Sequence, residues 1–318
     1  MQIFTNANFN FIRWRWHALA LSAVIILAGV AAVMTTGLPL GIDFSGGTVI
    51  IVKFEKPVSE QAVLDALAAV PGEKIVQRYG EPADNEVLIR LPELVAEQGA
   101  SLEQGARGVI DRLRAANLGN FEVRSTEIVG PVIGRDLQLK GILATLASIV
   151  GITAYIAIRF RFSFAVGAIV ATLHDILVTV AFLKFFNYEL SLNIVAAILT
   201  ITGYSVNDTI VVFDRVRENL RFMRRDALEQ VVNTSVNQTL GRTIITAGTT
   251  FLSVLSLYLF GGEVLEGFAF TMLVGIVSGT YSTIFIASAI AILLSQRRGA
   301  AQSQAAAAGA DRQRKKRA

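Results

Sequence analysis

Apolar and polar residues along this chain fall into long blocks. Six apolar runs lie near 18–38, 138–158, 163–185, 190–213, 240–260 and 267–294. Each has about the 20 residues that a helix needs to cross a bilayer. Between the first two runs the pattern shortens. GTVIIVKF (47–54) alternates and is β-branched, which predicts a strand. VSEQAVLDALAAV (58–70) has apolar residues at helical spacing, with Ser59 at its start and Pro71-Gly72 at its end. EKIVQRYG and NEVLIRLPE predict two short strands parted by a turn around Pro82, Asp84 and Asn85. SLEQGARGVIDRLRAAN predicts an amphipathic helix capped by Ser101, and NFEVRSTEIVG a last strand. The order β-α-β-β-α-β predicts a ferredoxin-like sheet with helices on one face. The expected division is an N-terminal arm (1–16), a first transmembrane helix (17–38), a soluble domain (39–137), a five-helix membrane region (138–294) and a basic tail (295–318) without structure.

Composition supports a polytopic α-helical membrane protein. Of 318 residues, 53% are hydrophobic and 17% charged, against about 25% charged in soluble domains; mean hydropathy is +0.54. The first run exceeds the apolar region of a signal peptide, about 7–15 residues, and reads as an uncleaved span. A net charge of +4 and a pI near 9.5 would suit a nucleic-acid partner, but the placement of charge argues against one. Arg13 and Arg15 precede the first run, and Arg159 and Arg161 lie between the second and third. Arg215, Arg217, Arg221, Arg224 and Arg225 follow the fourth, and Arg297, Arg298 and RQRKKR follow the sixth. The loops FNYEL and FGGEVLEG have almost no positive charge near them apart from Lys184. The positive-inside rule therefore puts both termini in the cytoplasm and 39–137 outside it, in the periplasm. The tail reads as a topogenic segment facing membrane lipid.

The absence of cysteine excludes disulfides, thiol catalysis and thiolate metal sites, and two histidines make a histidine-based zinc site unexpected. No nucleophile–base or metal constellation emerges, so neither an enzyme nor a cofactor is expected. GIDFSGGT (41–48) is no phosphate loop, because it does not lead from a strand into a helix and lacks the lysine. Gly46-Gly47 reads as the turn from membrane helix into sheet.

Polar residues inside the apolar runs raise the sharper question. Asp208 lies near the end of the fourth, where a carboxylate costs about 2.5–3.5 kcal/mol to insert. The same run holds Asn193, Thr200, Thr202, Tyr204, Ser205 and Asn207; the fifth holds Gln238, Thr239, Arg242, Thr243, Thr246, Thr249 and Thr250; the third holds His174-Asp175. Such faces are expected to meet in a bundle interior. At 1.5 Å per residue, Asp208 and Arg242 each lie roughly 27 Å from the outer surface, at matched depth. They read either as a buried pair fixing helix packing or as a switch in which the arginine governs the carboxylate's protonation. A buried pair adds little net stability, which favours ion coupling by Asp208 and Arg242. His174, Asp175, Asn207, Thr243 and Thr246 form a candidate secondary relay, although for His174-Asp175 helix–helix hydrogen bonding is favoured over a relay role. The coupling ion is read as H+, with Na+ as the alternative, since a carboxylate among hydroxyls serves either. Gly275-xxx-Gly279 reads as close helix packing.

The motifs GIDFSGGT, VGPVIGRDL (129–137), LHD (173–175), GYSVNDTIVVFDRVREN (203–219), TLGRTIITAGTT (239–250) and GFAFTMLVGIVSGTYSTIFIAS (267–288) occur in order over nearly the whole chain. In these the chain resembles the SecF family, the smaller subunits of the SecDF accessory complex of the bacterial Sec translocase. The resemblance implies six helices forming half of a fold of the resistance-nodulation-division superfamily, paired in the inner membrane with a homologous half in SecD. It implies use of the proton-motive force to complete preprotein passage through SecYEG after the ATP-driven step by SecA, with YajC and YidC as further partners and unfolded preprotein as substrate. The family's ion-coupling positions fall on Asp208 and Arg242, while a further essential carboxylate belongs to SecD. One competing class is a small-molecule or lipid exporter subunit of the same superfamily, which needs two membrane halves and larger porter domains. The other is a purely structural scaffold, in which Asp208 could be neutralised harmlessly.

Overall fold

The computed structural model describes residues 8–70, 74–80, 84–91 and 102–297. Pro71-Gly72, Pro82, the Ser101 cap and residues 298–318 of the tail lie outside the described residues, whereas 295–297, expected to lack structure, continue the last helix. In chain order the elements are α1 (Arg15–Thr36), a single turn α2 (Ile42–Ser45), β1 (Gly47–Phe54), α3 (Glu60–Ala66), β2 (Ile75–Tyr79), β3 (Glu86–Leu91), α4 (Leu102–Ala115), β4 (Phe121–Val129), α5 (Pro131–Arg159), α6 (Phe162–Phe185), α7 (Leu192–Phe222), α8 (Leu228–Phe260) and α9 (Glu263–Ser282). The last continues through a π-helical turn, Thr283–Ala287, to Arg297.

All six apolar runs are helices long and apolar enough to cross a membrane. α7 and α8 outrun their apolar stretches the furthest. α7 continues to Phe222 and α8 begins at Leu228, so 214–238 is mostly a helical hairpin instead of a loop. The hairpin is amphipathic: Val216, Val231, Val232 and Val236 are buried in it, and Asn219 donates to Ser235 Oγ (2.9 Å) and Gln238 Oε1 (2.8 Å). A hydropathy window misses such a segment because one face stays polar.

The bundle is built around α6, α7 and α9, whose apolar side chains interlock, whereas α1, α5 and α8 leave much apolar surface uncovered. Met34 on α1 and Ile158 on α5 are more than 80% exposed, which in water would be an aggregation hazard and in a bilayer is ordinary. α9 meets α7 closely. A Cβ added at Gly275 would stand 2.2 Å from Ile201 Cδ1, and one at Gly279 2.9 Å from Ser205 Cβ, so the GxxxG spacing is where the two helices touch. At the other end of the molecule the start of the chain is strapped to α8. Asn237 pairs with both backbone groups of Phe9 (2.8 and 2.9 Å), and Asn233 accepts from the Phe11 N–H (3.0 Å).

Between α1 and α5 lies a four-stranded antiparallel sheet in the order β2-β3-β1-β4. Ile50, Val52 and Phe54 of β1 and Val87, Ile89 and Leu91 of β3 bury against Val63 and Leu67 from the α3 segment and Val109 and Leu113 of α4. The β1–β4 register slips by one residue beyond Ile51, a bulge that lets β4 bend toward α5. Gly46 (φ 71°) and Gly47 (φ 123°) hold the left-handed backbone with which the chain leaves α2 for β1.

Candidate ion-coupling site

α7 and α8 lie side by side with Asp208 on the first and Thr243 on the second. Thr243 donates its hydroxyl to Asp208 Oδ1 at 2.7 Å, while Oδ2 is buried with no hydrogen-bond partner among the described residues. Thr239, Thr246, Thr249 and Thr250 instead return their hydroxyls to the carbonyls four residues earlier on α8, at 2.8–3.0 Å. Thr243 is thus the threonine of this series that is diverted to a carboxylate.

Arg242 does not form the expected direct pair. No N···O contact within 4 Å joins it to Asp208 among the described residues, and its side chain is exposed. Matched depth set its height correctly but not its direction, because neighbouring residues on a helix point about 100° apart. The same geometry exposes Asn207, next to the inward-facing Asp208. Asn193, Thr200 and Asn207, two turns apart on α7, are exposed together, as are Arg242, Thr246 and Thr249 on α8. The polar residues expected to meet in the interior are therefore divided: one set is buried, and the other forms a surface on this chain.

The buried set centres on His174-Asp175 of α6. Asp175, 1% exposed, accepts from Ser205 of α7 (2.5 Å), from Ser278 and Ser282 of α9 (2.7 Å each) and pairs with His174 Nδ1 (3.0 Å). His174 Nε2 lies 2.8 Å from Ser22 Oγ on α1, which lies 3.3 Å from Tyr281 Oη; the Tyr281 hydroxyl donates to the Ala18 carbonyl (2.7 Å). One carboxylate thus ties three helices together, and His174 links them to α1. Ser22, Ser278 and Ser282 were absent from the expected relay, although Ser278 and Ser282 stand one turn apart on a single face. Beyond Ser282 the helix widens into its π-turn, where Thr283 meets Thr209 of α7 at 2.8 Å. Such turns recur at functional positions.

The N-terminal end of α7 is held by the sheet domain. Asp43 Oδ2, in the turn before β1, accepts from the Leu192 N–H at the first residue of α7 (2.8 Å), where a carboxylate also complements the helix dipole. Gly41 donates to the Leu190 carbonyl (2.8 Å), and Leu190 donates to that of Pro39 (2.7 Å). Arg90 of β3 completes the clamp with bonds to Glu189 (2.7 Å), the Leu40 carbonyl (2.6 Å) and Ser45 Oγ (2.9 Å). In the same loop Tyr188 donates to Glu266 of α9 (2.5 Å), and burial, then that bond, push its phenol up from its usual range. A single helix thus carries Asp208 toward one end and is gripped by the sheet domain at the other.

Comparison with known proteins places these features in a family. The family model "Protein export membrane protein SecD/SecF, C-terminal" matches residues 109–297, and "SecD/SecF GG Motif" matches 31–58, the segment containing Asp43 and the Gly46-Gly47 turn. The protein translocase subunit SecF of Rhodothermus marinus is 42% identical, with 96% of this chain and all of the relative covered. That of Escherichia coli O157:H7 is 39% identical, covering 91% and 89%. The crystal structure of SecDF from Thermus thermophilus, described as a translocon-associated membrane protein, matches with TM-score 0.82 and 34% identity; the match covers 93% of this chain and 40% of that one. A second SecDF structure, in a super-membrane-facing form, matches with TM-score 0.70 and 35% identity, again over 40% of its length. The chain belongs to the SecF family.

Proposed function

We propose that this chain is the smaller half of a SecDF-type complex that turns the proton-motive force into movement of its outer domain, aiding completion of preprotein export. The observation that carries the reading is the intramembrane carboxylate of Asp208, half-satisfied by Thr243, on a helix whose far end is clamped to the sheet domain. Arrival of a proton removes the negative charge. The new carboxyl O–H then needs an acceptor, and Thr243 Oγ1 can accept once its own hydrogen turns to the Thr239 carbonyl, the pattern its neighbours on α8 already follow. The contact between α7 and α8 thus changes polarity with each protonation. Moving one charge through 100 mV supplies about 2.3 kcal/mol, enough to bias a two-state element. From Asp208 to Leu192 the helix runs roughly 24 Å at 1.5 Å per residue, and Asp43 and Arg90 convey its shift to the sheet.

In this reading Arg242 acts from the open face and not as a direct partner, and the exposed polar residues of α7 and α8 turn toward a SecD-like half. The match to a part of each SecDF chain supports pairing with a SecD-like half. The different TM-scores against two SecDF forms at nearly equal identity support an architecture with more than one arrangement. The ferredoxin-like assignment of the outer domain is supported by its strand order, and its periplasmic side by the arginine asymmetry. Work at SecYEG after the SecA step, contact with YajC and YidC, residence in the inner membrane, and H+ in place of Na+ belong to the same proposal. Preprotein export into inverted vesicles, with and without an imposed proton gradient, tests it. Asp208→Asn should abolish the gradient-dependent part and leave the ATP-driven part; acceleration that persists in the variant sinks the coupling role.

A further inference from the structure

Where α1 and α8 begin, the polypeptide forms an open pocket of about 490 Å³ with a mixed polar and apolar lining that includes neither Asp208 nor the sheet domain. Arg13, Arg15, Trp16, Glu229 and Gln230 line it. Arg15 donates to Glu229 at 2.8 Å, yet its buried Nε has no partner among the described residues. Arg13 is exposed, and its guanidinium meets no acceptor among them. Among the described residues that line the pocket, Glu229 offsets one of the two guanidinium charges and leaves one positive charge uncompensated. The Gln230 amide is also exposed and free to donate.

The surroundings say what kind of anion fits. The cavity stands at the mouth of an apolar helix, and the guanidinium of Arg15 lies 5.9 Å from the centre of the Trp16 ring. Trp14 and Trp16 are both more than half exposed, as tryptophans at a bilayer's head-group level are. Below Trp16 a single apolar stripe runs down α1 through Val24, Leu27 and Met34, all at least 65% exposed. At about 100° per residue, Val24, Leu27 and Met34 lie roughly 80°, 20° and 0° around the helix from Trp16, so all four fall within one sector of α1.

We propose that this cavity binds the head group of an anionic phospholipid, with Arg13, Arg15 and Gln230 on the phosphate and an acyl chain along the stripe below Trp16. One net positive charge matches one phosphodiester, whereas a choline head group brings its own cation and gains little. Arg15 is pre-set by its bond to Glu229, and Arg13 is the free arm that closes on the lipid. The assignment rests on the membrane orientation proposed above but not on ion coupling, so failure of the export assay leaves it standing.

Trp14 and Trp16 are the chain's two tryptophans, so fluorescence reports on this place directly. The full chain carrying Trp14→Phe is reconstituted in phosphatidylcholine bilayers containing a minor lipid brominated on its acyl chains. That lipid has either a phosphatidylglycerol or a phosphatidylcholine head group. Bromine on the anionic lipid should quench Trp16 more than the same mole fraction on the zwitterionic one. Arg13→Gln, which breaks no bond within the protein, should reduce this preference about fivefold, the equivalent of about 1 kcal/mol per basic residue near an anionic surface. Arg225→Gln, an exposed arginine outside the cavity, should leave it unchanged, and so should added inorganic phosphate. Equal quenching by the two lipids, a preference undiminished by Arg13→Gln, an equal loss with Arg225→Gln, or displacement by free phosphate would each overturn the assignment.

Discussion

The two intramembrane carboxylates should respond in opposite ways to removal. Asp175 accepts hydrogen bonds from three serines and pairs with a histidine ring, and it is all but inaccessible. Asp175→Ala leaves those donors facing a void where helices α1, α6, α7 and α9 converge. Losing the central partner of a buried charged network costs about 3–5 kcal/mol, a large share of the total stability of most domains, about 5–15 kcal/mol. Asp175→Asn should cost less, about 1–2 kcal/mol, because one acceptor oxygen survives and the hydroxyls can reorient. Ser282 already lies 3.2 Å from the Gly279 carbonyl, a ready alternative acceptor. Asp208→Asn should cost less than about 1 kcal/mol, since a single hydrogen bond is involved and the amide oxygen can keep it. Denaturant unfolding of the purified variants in one detergent, followed by circular dichroism, ranks them. Unfolding of Asp175→Ala at the wild-type midpoint, or of Asp208→Asn well below it, would refute this division into a structural and a working carboxylate.

Gly275→Ala should destabilise by about 1–3 kcal/mol, because its Cβ would meet Ile201 at 2.2 Å; adding Ile201→Ala should recover part of the loss in the same unfolding assay, and additive losses would count against the contact. Arg90→Ala should release the sheet domain from the outer end of α7, seen as faster amide hydrogen exchange across 39–45 and 186–192; unchanged exchange there would mean that the clamp is held by other contacts. A cysteine at Gln61, introduced into this cysteine-free chain, should react with an impermeant reagent from the outside only, and labelling only from the cytoplasmic side would invert the topology.

Much of this architecture is legible in the sequence because bilayer and sheet each impose a simple period. Six apolar runs become six helices, and the alternation in GTVIIVKF becomes β1. The hairpin extension of α7 and α8 was hidden because its burial is one-sided. Asp208 was legible as an expensive charge, and its neighbourhood only partly so: depth along a helix can be counted, but the direction of a side chain around it depends on crossing geometry. For that reason Thr243, not Arg242, meets the carboxylate. Ser22, Ser278 and Ser282 are not legible as site residues because serine is common in packed membrane helices, and their contacts, Ser22 with His174 and Ser278 and Ser282 with Asp175, span separations of more than 100 residues. The grip of Asp43 and Arg90 on the loop before α7 was equally invisible, since Asp43 is 149 residues from Leu192.

The account rests on the claim that the charge state of Asp208 sets the position of the outer domain through α7. Spin labels at Gln61→Cys in the sheet domain and Phe260→Cys at the outer end of α8, both exposed, measure that position in the chain reconstituted with a SecD-like partner. The wild-type distance distribution should shift between high and low pH. Asp208→Asn, which carries no charge at either pH, should show the low-pH distribution throughout. A variant that follows the wild-type shift would contradict the account.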